Sequence, residues 1–145
     1  SRHQAETAWG ITLAYCLVKL TLIGISPQRR DGRSRMSSTA IRTMAEKIGI
    51  EISGICSFLY WPYPLTSNDP QERARGIELA GMMAQAAHDL GTENALVVPG
   101  AVHMPWREDH DPTPNDVCDR RAKEAIGKLA PLAEKLKVYL NIENV

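Results

Sequence analysis

The sequence predicts an α/β fold built on parallel strands, and three observations predict it. From about residue 37 onward, helix-period and strand-period segments alternate, and each junction carries a cap or breaker of the expected kind. The strands that begin near Ile50, Ala95 and Val138 recur about 44 residues apart, the size of a βα unit with a long loop after its strand. Those long loops, Cys56 to Asp69 and Gly100 to Pro112, follow strand C-termini, whereas the turns from helix to strand are very short. In a parallel α/β protein the C-terminal ends of the strands carry the chemistry, so the loop asymmetry points to the site.

The N-terminal third has the least regular pattern. Thr7 to Leu17 reads as a helix or a strand and Leu20 to Ile25 as a strand. Pro27 to Arg35 is a basic loop whose Arg29, Arg30, Arg33 and Arg35 fit a solvated segment better than a phosphate grip. Beyond it, Ser37 or Ser38 caps a helix in which Ile41, Met44, Ala45 and Ile48 follow helical spacing, and Gly49 stops it. Ile50 to Ile55 is a short strand. A second helix opens at Asn68, Asp69 and Pro70, a cap followed by a first-turn proline, and runs to Leu90 and Gly91. Ala95 to Val98 is the next strand. A third helix opens at Thr113 and Pro114, with Asp116 completing a weak capping box, and ends near Lys137; Pro131 should kink or split it. Val138 to Glu143 then reads as a parallel strand buried on both faces.

The chain has 145 residues, enough for one domain with a real core, and its formal charge is zero. No net field draws it to nucleic acid or anionic lipid. Its three cysteines, Cys16, Cys56 and Cys118, form no CxxC pair, and their odd number argues against a disulfide framework, so a reducing cytoplasm is expected. No apolar run reaches the roughly 20 residues that span a bilayer. Ile11 to Ile25, the longest, lacks the flanks of a signal peptide. P-loop, GxGxxG, GxSxG and HExxH patterns are absent.

Glu143 is the strongest candidate for chemistry. Leu140 and Ile142 alternate with Asn141 and Glu143, so one face of the last strand is apolar and the other carries an amide and a carboxylate. An inward carboxylate needs a cation, a proton or a dense set of donors; an outward one is a solvated acid, and the residues alone leave both open. His103 follows Val98, Pro99 and Gly100, where a strand opens into its loop, and is a candidate acid, base or hydroxyl ligand. Arg107 is a candidate anion contact in an otherwise solvated Arg107 to Asp111 stretch. Phe58, Tyr60, Trp61 and Tyr63 crowd one loop and suit either an apolar wall against a sugar face or a cover over the fold. His88 near Gly91 is explained by a helix C-terminus.

The run from Ile50 through Gly100, with its "PLTSNDP" and "LVVPG" segments, and the closing "VYLNIENV" together resemble the sugar phosphate isomerase/epimerase proteins of the xylose isomerase-like TIM barrel superfamily. These include ketose 3-epimerases and hexulose-6-phosphate isomerase-like proteins. The resemblance covers roughly residues 38 to 145, with residues 1 to 36 poorly matched. It implies a single domain that is the N-terminal portion of a (β/α)8 barrel, roughly the first four βα units plus the fifth strand. A complete barrel takes about 250 residues.

In that family the glutamate of the "EN" motif binds a divalent metal and serves as one of two acid/base carboxylates; here it is Glu143. By the same comparison Tyr60, Trp61, His103 and Arg107 line the sugar site. The implied reaction is isomerisation or epimerisation of a ketose or ketose phosphate through an enediolate. The implied cofactor is manganese, magnesium, cobalt or zinc. The remaining ligands come from later strands, so the chain alone is expected neither to hold the metal tightly nor to turn over substrate. The expected partner is a small sugar or sugar phosphate, without nucleic acid or membrane, and a homo-oligomer is a candidate assembly.

The same superfamily holds zinc endonucleases for damaged DNA. There a histidine precedes the equivalent Pro-Gly, whereas Val98 stands here, and the neutral charge also favours the sugar enzymes. A third alternative is a non-catalytic half barrel whose open strand edges invite pairing.

Overall fold

A computed structural model describes residues 37–108 and 111–143. The expectations placed on residues 1–36, and those on Asp109, His110 and Asn144, lie outside the described residues.

Helix α1 spans Ser38–Ile48 and begins where Ser37 accepts a hydrogen bond from the Ala40 N–H at 3.2 Å. It ends at Gly49, whose φ of 72° lets its N–H turn back to the Ala45 and Glu46 carbonyls. Ala45 is buried and Ile41 packs on the core, whereas Met44 and Ile48 of the expected apolar stripe are exposed.

Helix α2, Pro70–Leu90, is capped by the Asp69 carboxylate, which accepts from the Gln71 N–H at 2.8 Å, with Pro70 in the first turn. Its buried stripe is Gly76, Leu79, Ala80, Met83, Ala84, Ala87 and Leu90, and the small residues in it admit close neighbours. Strand β1, Asn94–Val97, follows at once; Ala95 and Val97 are fully buried.

Helix α3 covers Asn115–Leu136, and strand β2 covers Tyr139–Ile142. The expected capping box at Thr113 is not formed. Pro114 occupies the cap position with no side-chain cap bond, because the Thr113 N–H is already committed to the Val102 carbonyl and holds that residue in the preceding loop. Nor does Pro131 split α3, which runs through it as one helix. Pro131 and Gly127, the residue whose carbonyl a proline cannot serve, are both exposed, so the break in the ladder falls on the solvent side of the helix.

β1 and β2 pair in parallel, with Asn94 opposite Tyr139 and Val97 opposite Ile142. On the other side of β1, Ile55 makes a single parallel bridge to Ala95. The strand expected over Ile50 to Ile55 is therefore reduced to one pairing position. The Asn94 side chain explains this locally: its amide donates to the Ser53 carbonyl at 3.1 Å, in place of a further rung of the ladder. A core of Ile55, Tyr60 and Leu65, the α2 stripe, Ala95 and Val97, with Ala125, Leu129 and Leu136 of α3, fills the space between helices and sheet. The C-terminal ends of α2 and α3 are joined by His88, whose Nδ1 donates to the Leu136 carbonyl at 3.0 Å. Its helix-end setting is as expected, but the carbonyl belongs to the neighbouring helix.

The architecture is α/β with few strands, an incomplete barrel. Among the described residues β2 has a strand partner on one side only, so the expectation that this strand is buried on both faces is not met. Leu140 is half-buried, and Tyr139, Asn141, Ile142 and Glu143 are exposed.

Candidate functional site

The two long loops leave the same end of the sheet and meet there. After the Ile55 bridge, Ser57 accepts from the Leu59 N–H and caps a short 3-10 turn, Phe58–Tyr60. With three residues per turn, positions 58 and 61 share a side and position 60 points elsewhere. Phe58 is accordingly exposed, Trp61 is half-buried, and Tyr60 is turned into the core with none of its surface accessible. The four aromatic residues of this loop do not make one wall. Among the described residues the Tyr60 hydroxyl has no hydrogen-bond partner, and burial pushes its pKa well above the ordinary tyrosine value, with Cys56 adding to the rise.

Past the turn, Pro64 to Ser67 are buried where they pass under the end of β1. The Thr66 N–H donates to the Pro99 carbonyl at 3.2 Å. Gly100 has φ 131°, and a Cβ there would collide with Thr66 Oγ1 and Pro64 Cβ. The close approach of the two loops thus depends on a residue without a side chain.

Several contacts then lock the loops together. Trp106 stands edge-on to Trp61, with ring centroids 5.0 Å apart and planes at 87°. Arg107 Nη2 donates to Glu72 Oε1 at 2.8 Å, and its Nη1 reaches the Trp61 carbonyl at 3.5 Å. Glu72 Oε2 also accepts from Ser67 Oγ at 2.6 Å. Asn68 Nδ2 donates to Asp111, and Arg121 of α3 donates to the Thr66 and Ser67 carbonyls and to Asn68 Oδ1.

Glu143 belongs to the same end of the sheet. Its N–H donates to the Val97 carbonyl at 3.0 Å, one step past the Val97–Ile142 pair and level with the root of the second loop. Its carboxylate is exposed. His103 lies on the solvent side of the second loop, beside the buried Met104.

The expected site residues therefore occupy different settings: Trp61 and Arg107 in the loop-to-loop contact, His103 on the loop surface, Glu143 on the strand end, and Tyr60 in the core. Trp106 and Glu72 join this contact and were not singled out from the sequence. Trp106 was legible as an aromatic residue in the second strand-end loop; Glu72 resembled any first-turn acid. Among the described residues no three His, Cys, Asp or Glu side chains come together to hold a metal ion, and no helix is long and apolar enough to cross a membrane.

Comparison with known proteins gives this geometry its context. A search of curated proteins finds no significant match. Solved structures share the fold: an L-ribulose 3-epimerase superposes with a TM-score of 0.63 at 21% identity, over 77% of this chain and 36% of its own. A 3-keto-D-glucoside 4-epimerase from E. coli gives 0.61 at 12% identity, over 74% and 41%. A D-psicose 3-epimerase, solved in the presence of D-fructose, gives 0.55 at 24% identity, over 74% and 36%. The chain thus spans well under half the length of these epimerases. The profile of one family matches residues 20–145, nearly the whole sequence, and with the parallel strands and strand-end loops it leads to one conclusion: the chain belongs to the xylose isomerase-like TIM barrel family.

Proposed function

We propose that this chain carries part of the site of a sugar isomerase or epimerase acting on a ketose or ketose phosphate, with Glu143 as an acid/base carboxylate. The observation that carries this reading is the position of Glu143. It is pinned by its amide to Val97 at the sheet end from which the Trp61 and Trp106 loops emerge, in a chain of this family. A carboxylate whose main chain is fixed and whose oxygens are accessible can take a proton from the carbon beside a ketose carbonyl. The resulting enediolate is resolved by returning a proton to the same carbon on the opposite face or to its neighbour. Trp61 and Trp106 present ring edges and faces to the apolar side of a sugar, and His103 is placed on the loop that borders it.

In this reading Arg107, engaged by Glu72, holds the two loops together beside the sugar. Tyr60 supports the first loop from the core.

Members of the family commonly use a divalent metal. The described residues do not fit such an ion by themselves, since Glu143 has no second and third ligand among them. The chain alone is accordingly expected to give no turnover.

Solvent deuterium uptake by D-fructose, followed by NMR with added Mn2+, tests the assignment. The 145-residue chain should leave the sugar unlabelled, and any chain length that does label it should lose that activity on Glu143→Gln. Labelling that survives Glu143→Gln overturns the role given to this residue.

A further inference from the structure

We infer that the Glu72–Arg107 ion pair is a positioning device: it fixes the Trp61–Trp106 pair across the two strand-end loops and so sets the spacing of those loops. What that spacing would admit rests on the sugar-site reading, but the coupling itself stands on geometry. Arg107 is adjacent to Trp106 in the chain, so wherever its guanidinium is held, the Trp106 backbone is held as well. That guanidinium reaches Glu72 at 2.8 Å and the Trp61 carbonyl at 3.5 Å, so one side chain touches the first turn of α2 and the backbone of the other indole.

Glu72 is in turn fixed by Ser67, whose hydroxyl donates to Oε2 at 2.6 Å and accepts from the Asp69 N–H at 3.0 Å. The clamp therefore ends on the cap of α2, a rigid element, instead of on another loop. Arg107 and Glu72 are 20% and 23% exposed, which limits screening by salt and distinguishes this pair from the i,i+3 and i,i+4 surface pairs, each about half-exposed or more. The contact it governs is weak by itself. An edge-on indole pair adds little beyond its buried area, so loss of the clamp should show as loss of the ring-to-ring geometry before any loss of fold.

The sequence holds three tryptophans, and a Trp9→Phe background leaves only Trp61 and Trp106 to report. In that background the exciton couplet of two close indoles in circular dichroism reads the pair directly, and Trp106→Phe defines its absence. Glu72→Gln, which keeps shape and can still accept from Ser67, and Arg107→Met should each remove most of the couplet. The double variant should remove no more than either single, the non-additivity expected of one shared interaction. Helical ellipticity should stay at the parent value in all three, and Arg107→Lys should restore only part of the signal because an ammonium cannot fork between Glu72 and Trp61.

A couplet that persists in both single variants overturns the proposal, as does a parent protein whose spectrum Trp106→Phe leaves unchanged. A parallel titration of tryptophan fluorescence with D-fructose separates the two readings. A parent response that weakens roughly 3- to 10-fold in apparent affinity in Glu72→Gln supports sugar binding set by the clamp. A couplet that depends on Glu72 with no response to D-fructose in the parent removes the sugar reading and leaves the clamp standing.

Discussion

Tyr60 carries a phenol oxygen into a core where the described residues offer it no partner, and the cost of that burial can be measured. Replacing a buried, unsatisfied hydroxyl by hydrogen removes a desolvation penalty of about 1–3 kcal/mol and leaves the ring's packing in place. Tyr60→Phe should therefore be neutral or stabilising in urea unfolding. The pH dependence has a definite sign. With its pKa raised in the folded state, Tyr60 stays protonated where the unfolded chain begins to ionise, so the unfolded state binds fewer protons above the ordinary value of 10.0 and stability falls as pH rises past it. The fall should approach about 1.4 kcal/mol per pH unit from this residue, and Tyr60→Phe should remove that component of the slope. Sequence reading placed Tyr60 and Trp61 together in an aromatic loop. Which ring turns inward was not legible, because that depends on a three-residue turn set by Ser57 and on the depth of the core below it.

Helix boundaries show where local sequence suffices. The starts of α1 and α2 were readable because a cap is a contact over two or three residues: Ser37 to the Ala40 amide, and Asp69 to the Gln71 amide. Asp69→Ala should cost about 1 kcal/mol, read as a lower urea midpoint with unchanged slope, and Asp69→Asn should recover most of it. The start of α3 was misread because a tertiary bond, Thr113 N–H to Val102, competes with the local pattern. The Ile50 to Ile55 segment has strand composition, yet Asn94 diverts one of its carbonyls and leaves a single bridge. The position of Glu143 at a strand end was legible from alternation alone. Its companions Trp106 and Glu72 were not, since their importance lies in contacts across 45 and 35 positions of the chain.

At the scale of the whole molecule, the described sheet is bridged once on its β1 side and open on its β2 side. β1 is bonded on both edges, to Ile55 and to β2, while β2 exposes Tyr139 and Ile142 beside a groove formed by Ile126, Ala130 and Ala133 of α3 with Val138 and Leu140. An edge of this kind is a template for further strand pairing, and the longer epimerases of the same fold have more chain with which to cover theirs. The hydrogen bonds Tyr139 N–H to Glu93 and Glu143 N–H to Val97 set the phase of the strand: odd positions face β1, and the amides of Leu140 and Ile142 face away. Amide hydrogen exchange followed by NMR should therefore divide β2 into two clocks. Leu140 and Ile142 should exchange at least about tenfold faster than Leu96 and Glu143. Glu143 would then keep interior time at its nitrogen while its side chain, a few bonds away, stands in bulk water.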